Sequence, residues 1–316
     1  MKVYLSKINE SWVVDRMRAE WYEFNHNIST ENPKDADLVW IISPWMWRKE
    51  KKKILKSKKV ICSIYHLQDK DYSFKGLKEF QKRDEFVDFY HVISKKTGAE
   101  LKKLTDKKIF YCPFWVNQEV FFEKKDKDSL RKKYDIPIKS FVVGSFQRDT
   151  EGSDLISPKL IKGPDRFAKI VKTLNEDNSN LRVLLTGKRR QYIISRLEEM
   201  NIRYVYLEMV DFNVLNDLYN TLDLYIVSSR IEGGPQAIVE CGITKTPIIS
   251  TNVGIASEIL DTKSIYTMNN YSKAKPDVKT AYENSLKLSI PHGFTKFREI
   301  FESLVIKSTE NKKIIL

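Results

Sequence analysis

The stretch Leu224–Gly242, LYIVSSRIEGGPQAIVECG, gathers the residue types best suited to chemistry. An apolar run ends in Ser228 and Ser229, a Glu-Gly-Gly-Pro turn follows, and a helix-forming run carries Glu240. Gly233 and Gly234 permit backbone conformations closed to other residues and let N–H groups approach a ligand with no Cβ in the way. Pro235 suits the first position of a helix, whose unpaired N–H donors and positive dipole end suit a phosphate. Glu232 stands just ahead of those donors, where a carboxylate would oppose a phosphate, so it reads as an acceptor from neutral hydroxyls. Glu240, about one turn into the helix, reads as a ligand for a ribose diol, the role acidic residues take in dinucleotide sites.

The elements that must position these residues follow from the hydrophobic pattern. Strand-like runs at Lys2–Leu5, Leu38–Ile42, Val60–Tyr65, Phe89–Ile93 and Ile109–Tyr111 alternate with helical segments at Trp12–Phe24, Lys49–Lys56 and Thr97–Leu104. Strands separated by helices of this length need crossover connections and imply parallel sheets covered on both faces. The charged stretch Phe122–Lys139 reads as a linker. Beyond it the alternation restarts, with strands at Phe141–Ser145, Leu181–Thr186, Tyr204–Leu207, Leu224–Val227, Ile248–Thr251 and Ser264–Tyr266. The expected organisation is two doubly wound α/β domains, 1–136 and 137–292, with a last helix in 293–316 that folds back on the first. Open sheets of this kind bind ligands beyond the carboxyl ends of their strands.

Glu232 and Glu240 enclose seven residues with Gly-Gly-Pro inside, and this pattern resembles the family 4 retaining glycosyltransferases of GT-B fold. The resemblance covers most of residues 88–260 and not the first 60. HVISKKTGAELKKL, IFYCPFWVNQEVF, VVGSFQR, KGPDRFAKIVKTL, LLTGK, LNDLYNTLDLYIVSS and TPIISTNVGIASEIL occur in the family's order. The loop after the first strand, SKINESW, lacks the glycines that the family carries there.

The resemblance implies two Rossmann-like domains facing across a cleft, and transfer of a hexose from a nucleotide diphosphate-sugar, UDP- or GDP-linked, to an acceptor hydroxyl with retained anomeric configuration. Arg148 and Lys162 would hold the diphosphate. The insertion TEGSDLISPKLI separates them, which makes Lys159 a rival to Lys162. Glu232 would contact hydroxyls of the transferred sugar, with Gly233, Gly234, Pro235 and Gln236 near sugar and phosphate, and Glu240 on the ribose. Gly187 and Lys188 in one turn, and Val210 in the stretch Met209–Phe212, would flank the base. His66, at the end of the apolar strand VICSIY, would reach the donor sugar from the acceptor domain. No cofactor and no metal are implied, since basic side chains stabilise the leaving diphosphate.

Other chemistries find less support. Glu232 and Glu240 share one loop-helix segment and do not read as the opposed carboxylates of a glycoside hydrolase. Neither a Gly-x-Ser-x-Gly elbow nor a phosphate-binding Walker loop is present,. The Asp-x-Asp pairs (Asp35/Asp37, Asp69/Asp71, Asp126/Asp128) arise readily in a chain so rich in Lys and Asp. A nucleotide-sugar epimerase on the same architecture stays open.

The chain has 316 residues and a formal net charge of +13. Residues 1–136 hold 30 basic and 21 acidic side chains and all six tryptophans. This basic, tryptophan-rich half suits a glycan or lipid-linked acceptor, an anionic membrane surface, or nucleic acid, which keeps open a nucleic-acid-directed transferase or binding protein. Cys62, Cys112 and Cys241 each sit in an apolar run and read as buried free thiols of a cytoplasmic protein. No apolar run reaches the roughly 20 residues of a membrane-spanning helix, and no signal-peptide core follows Met1.

Overall fold

The structure, a computed structural model, describes residues 1–7, 9 and 13–313. Along the chain run β1 (Val3–Leu5), α1 (Val13–Phe24), β2 (Leu38–Ile41), α2 (Lys52–Ser57), β3 (Lys59–Ile64), α3 (Phe74–Asp84), β4 (Phe89–Val92), α4 (Lys95–Leu101) and β5 (Ile109–Tyr111). Next come α5 (Lys127–Lys133), β6 (Phe141–Ser145), α6 (Pro164–Asp177), β7 (Leu181–Thr186), α7 (Gln191–Glu199), β8 (Tyr204–Leu207), α8 (Phe212–Thr221) and β9 (Leu224–Val227). The chain closes with α9 (Gln236–Thr244), β10 (Ile248–Thr251), α10 (Ala256–Ile259), β11 (Ile265–Tyr266), α11 (Val278–Leu286) and α12 (Thr295–Lys313). The Trp12 start of the first helix and most of the loop before it, from Ile8 to Ser11, lie outside the described residues. The sequence pattern places the strands well and misses α3, whose apolar stripe is thin in a run crowded with lysine and glutamate.

Residues 1–114 and 291–316 form one compact unit, and residues 115–290 the other. The first unit holds a five-stranded parallel sheet in the order β1-β2-β3-β4-β5. Its strands read as continuous apolar runs because both faces are covered. On β4, alternate side chains show the two coverings. Phe80 of α3 stacks on Tyr90 at 5.6 Å between ring centres, while Phe297 of α12 lies 5.1 Å from the His91 ring. Trp40 packs between Trp21, Phe297 and Phe301 at 5.1–5.5 Å.

His91 is fully enclosed, and its hydrogen bonds define its tautomer. Trp40 Nε1 donates to Ser63 Oγ (2.8 Å), the Ser63 hydroxyl meets His91 Nδ1 (2.8 Å), and His91 Nε2 donates to the Cys112 carbonyl (2.7 Å). Burial drives its pKa down to about 4. The three cysteines are free and buried, and burial pushes Cys62 up to about 11 and Cys112 up to about 12. Such thiols are inert at neutral pH.

The second unit holds a six-stranded parallel sheet in the order β11-β10-β9-β6-β7-β8. The expected boundary after residue 136 is corrected here, because residues 115–136 pack into this unit. The stretch expected to be a linker is anchored by buried Arg131, which donates to the Thr221 carbonyl (3.0 and 2.8 Å), the Ser140 carbonyl (3.1 Å) and Asp223 Oδ2 (2.6 Å). Tyr134 donates to Asp217 (2.7 Å), and Phe121 lies in the core against Tyr219. Charge density alone suggested a solvated tether, but Lys124, Lys127, Arg131 and Lys133 pair with Asp217 and Asp223. No helix among the described residues is long and apolar enough to cross a membrane.

Candidate active site

The order of the second sheet reverses between β6 and β9, since β6 continues to β7 on one side while β9 continues to β10 on the other. Crossovers that leave in opposite directions open a crevice at the strands' carboxyl ends. The loop after β6 carries Gln147 and Arg148, and the loop after β9 carries Ser229 and Glu232. Both predicted segments therefore meet at one place within one unit.

Lys162 reaches that place from the turn before α6. Gly163 sits there with φ +64°, and a Cβ would overlap the carbonyl oxygen of Ser228. Only glycine lets the turn press against the end of β9 in this way. The Ser228 hydroxyl donates to the Gly163 carbonyl (2.8 Å), and Arg230 N donates to the Ile161 carbonyl (2.8 Å). The Arg230 guanidinium forks onto both oxygens of Asp165 at 2.7 and 2.6 Å. Laced in this way, Lys162 Nζ forms an ion pair with Glu232 Oε1. Ser229 Oγ donates to the same carboxylate (3.1 Å), and Gln147 Nε2 donates to the Lys162 carbonyl (2.7 Å). The insertion that separates Arg148 from Lys162 in sequence does not separate their loops in space.

The cations are crowded. Arg148 is exposed, and its Nε donates to the Thr150 carbonyl (2.9 Å). Its pKa is lowered by partial burial and then by Arg189. Lys159, half-buried, is lowered by burial, then by Lys162 and Arg148, against the pull of Glu151 and Glu232. Like charges held together at the mouth of a crevice favour an anion, which relieves their repulsion. Lys159 thus stands beside Lys162 instead of replacing it.

Below this cluster lies a feature that local sequence did not reveal. Arg190 is buried and donates through Nε to Asp149 Oδ2 (2.8 Å) and through Nη1 to the Ser145 carbonyl (2.6 Å). The N–H groups of Asp149 and Thr150 both donate to the Arg189 carbonyl (3.1 and 3.2 Å). The Arg148 loop and the loop after β7 are thereby pinned together. Burial raises the Asp149 carboxyl to about 6, with Arg190 pulling against that rise. The β7 loop holds Gly187 at φ +91° and exposed Lys188, and the Tyr206 hydroxyl donates to the Gly187 carbonyl (3.0 Å). Val210 packs at the core's margin beside exposed Met209 and Phe212.

Two expectations about the turn are corrected. Neither Gly233 nor Gly234 has a positive φ, so neither uses the conformational freedom expected of it. The demand falls on Gly254, at φ +52°, where a Cβ would overlap the Gly233 carbonyl oxygen. Pro235 is the cap ahead of α9 instead of its first residue, and Ile238 N donates back to its carbonyl (2.9 Å). Among the described residues, nothing accepts a hydrogen bond from the N–H of Gly233 or Gly234. Gln236 Oε1 is buried with no hydrogen-bond partner among them. Glu240 is 4% exposed, and its Oε2 accepts from the Tyr219 hydroxyl (2.8 Å), so a ribose there would share the carboxylate with Tyr219. His66 belongs to the first unit, at the end of β3, with Nε2 2.8 Å from Gln68 Nε2.

Residues 155–281, all within the second unit, match the family model described as glycosyl transferases group 1. That span includes Lys162, Glu232 and Glu240 and stops short of Arg148. This is a glycosyltransferase of GT-B fold. Anabaena Alr3699/HepE, solved with UDP and glucose, is similar in structure to the glycosyltransferase with a TM-score of 0.72 at 12% identity, covering 96% of this chain and 99% of that one. Sucrose-phosphate synthase from Thermosynechococcus elongatus is similar with a TM-score of 0.68 at 14% identity, covering 93% and 78%. A glycosyltransferase from Rickettsia africae is similar with a TM-score of 0.62 at 16% identity, covering 95% and 84%. A sequence comparison of the glycosyltransferase with the curated proteins finds no match.

Proposed function

We propose that this enzyme transfers a sugar from a nucleoside diphosphate-sugar to an acceptor hydroxyl with retention at the anomeric carbon, and that it needs no metal ion. The observation that carries the reading is the crowding of Arg148, Lys159 and Lys162, beside the Lys162–Glu232 ion pair, at the β6/β9 switch point. A diphosphate would engage the cations. The ion pair between Lys162 and Glu232 then rearranges: Lys162 turns to the phosphate, and Glu232 accepts from hydroxyls of the sugar. As the bond from the anomeric carbon to the diphosphate oxygen breaks, charge grows on the leaving group, where these fixed donors stabilise it. The acceptor hydroxyl attacks the same face, and its proton passes to the departing diphosphate oxygen. Gly187, Lys188 and Val210 border the base. That Anabaena HepE was solved with UDP-glucose supports a uridine donor here. A glycan or lipid-linked acceptor and a cytoplasmic setting accompany this reading.

The test is donor hydrolysis and transfer over a panel of UDP- and GDP-sugars, with and without a chelator. Arg148→Ala and Glu232→Ala should each lower kcat about 10²–10³-fold, the usual cost of deleting one preorganised group. Full turnover in both variants would remove the site. An inverted product, or loss of turnover with chelator, would remove retention or metal independence in turn.

A further inference from the structure

The outer side of α2 and α3 carries an excess of positive charge. Lys52, Lys53 and Lys56 are exposed on α2, and Lys75, Lys78 and Lys82 are exposed on α3. The α3 lysines recur at a spacing that keeps them on one face of a helix. The two helices are neighbours. Lys52 and Lys56 each bring Nζ to 5.9 Å from the centre of the Phe86 ring just past α3, and Trp47 stacks on that ring at 5.7 Å. None of the six lysines joins an ion pair among the described residues. The nearby carboxylates are engaged elsewhere: Glu79 with Arg48, Asp84 with Tyr90 and Lys107, and Glu50 with Tyr4. Glu85 just past α3 and Asp69 in the turn ahead of Phe74 are also exposed there.

Two aromatic side chains border this surface. Phe74 opens α3 and is 85% exposed, and Trp45, in the turn after β2, is 44% exposed. A phenyl ring with no polar handle gains nothing from water, and an indole suits the boundary between water and an apolar phase. Lysine, a compact charge on a flexible stem, suits a diffuse anionic layer better than the forked contacts that arginine makes. Charge together with an insertable ring combines attraction to anionic lipid with burial of apolar surface, the two contributions with which interfacial binding scales. A nucleic-acid surface would instead array its aromatics as stacking platforms along a groove.

We propose that the α2–α3 face docks the enzyme on an anionic lipid surface, with Phe74 entering the headgroup region. The residues of this face belong to the first unit and those of the donor site to the second. Flotation of the full chain with phosphatidylcholine vesicles, with and without phosphatidylglycerol, tests it at low and high salt. The wild type should float only with the anionic vesicles and less at high salt. The combined variant Lys52→Ser, Lys53→Ser, Lys56→Ser should lower the bound fraction about tenfold or more. Phe74→Ser should weaken the binding that remains at high salt. Both variants should keep the thermal shift given by a UDP-sugar, so a failed donor site and a failed docking face give different results. No flotation with anionic vesicles, unchanged flotation of the triple variant, or release by a DNA oligonucleotide that the same lysines bind more tightly would each overturn the proposal.

Discussion

At the scale of single residues, a side chain's partner matters more than its type. Lys162 and Glu232 were expected to meet ligand groups of opposite character, and the structure pairs them with each other. That pair holds both near their proposed positions at modest exposure, so neither charge is left unpaired before a donor arrives. Asp149 and Arg190 show the same logic without any ligand role. Their pair is fully enclosed, and removing one partner leaves an unsolvated charge,. Arg190→Met should therefore lower stability by about 3–5 kcal/mol, read as urea unfolding, and should raise KM for the donor as the Arg148 loop loosens. A variant as stable as the wild type would show that Asp149 finds another partner. Neither residue was legible in the sequence, because an aspartate and an arginine 41 positions apart carry no spacing signal.

Elements explain how three distant segments meet. β6 and β9 end side by side at the switch point, and α6 and α9 start from the loops that leave it. The turn ahead of α6 must touch the end of β9 for Lys162 to reach Glu232, and Gly163 is what permits that contact. Gly163→Ala should cost about 1–3 kcal/mol for the left-handed backbone, more with the overlap at Ser228, and should weaken donor binding. Calorimetry of the variant and a thermal-shift titration with UDP check both halves. A variant that binds UDP normally would mean that the turn can withdraw from β9 without harm. Helix α3, missed by periodicity, shows where pattern reading fails. Its buried face rests on little more than Phe80, and the rest of the helix is surface.

At the scale of the whole molecule, the two units answer to different conditions. The first is built around a neutral His91 whose folded pKa of about 4 lies below the ordinary 6.5. Between those values the unfolded chain binds the proton and the native one does not. The stabilising contribution is therefore complete above pH 6.5 and is lost as pH falls toward 4, on the order of 3 kcal/mol in all. Melting curves from pH 7 to 4.5 should show the wild type losing stability along this slope, and His91→Gln should flatten it. An equal slope in both proteins would assign acid sensitivity to the carboxylates instead. The second unit should be the one a donor stabilises, since a ligand that binds only the native state shifts the equilibrium by mass action.

The sequence by itself determined the alternation of strands and helices, both parallel sheets, the return of the last helix to the first domain, and the Glu-Gly-Gly-Pro turn between a strand and a helix. Those properties are written in local periodicity and in residue types that few other conformations tolerate. Tertiary structure alone decided that residues 115–136 join the second unit and that Gly254 instead of Gly233 carries the left-handed backbone. It also chose the partners of Lys162, Asp149 and His91. Each of these depends on which distant segments come within a few ångströms of one another, and hydrogen-bonding and steric fit act only across that short range.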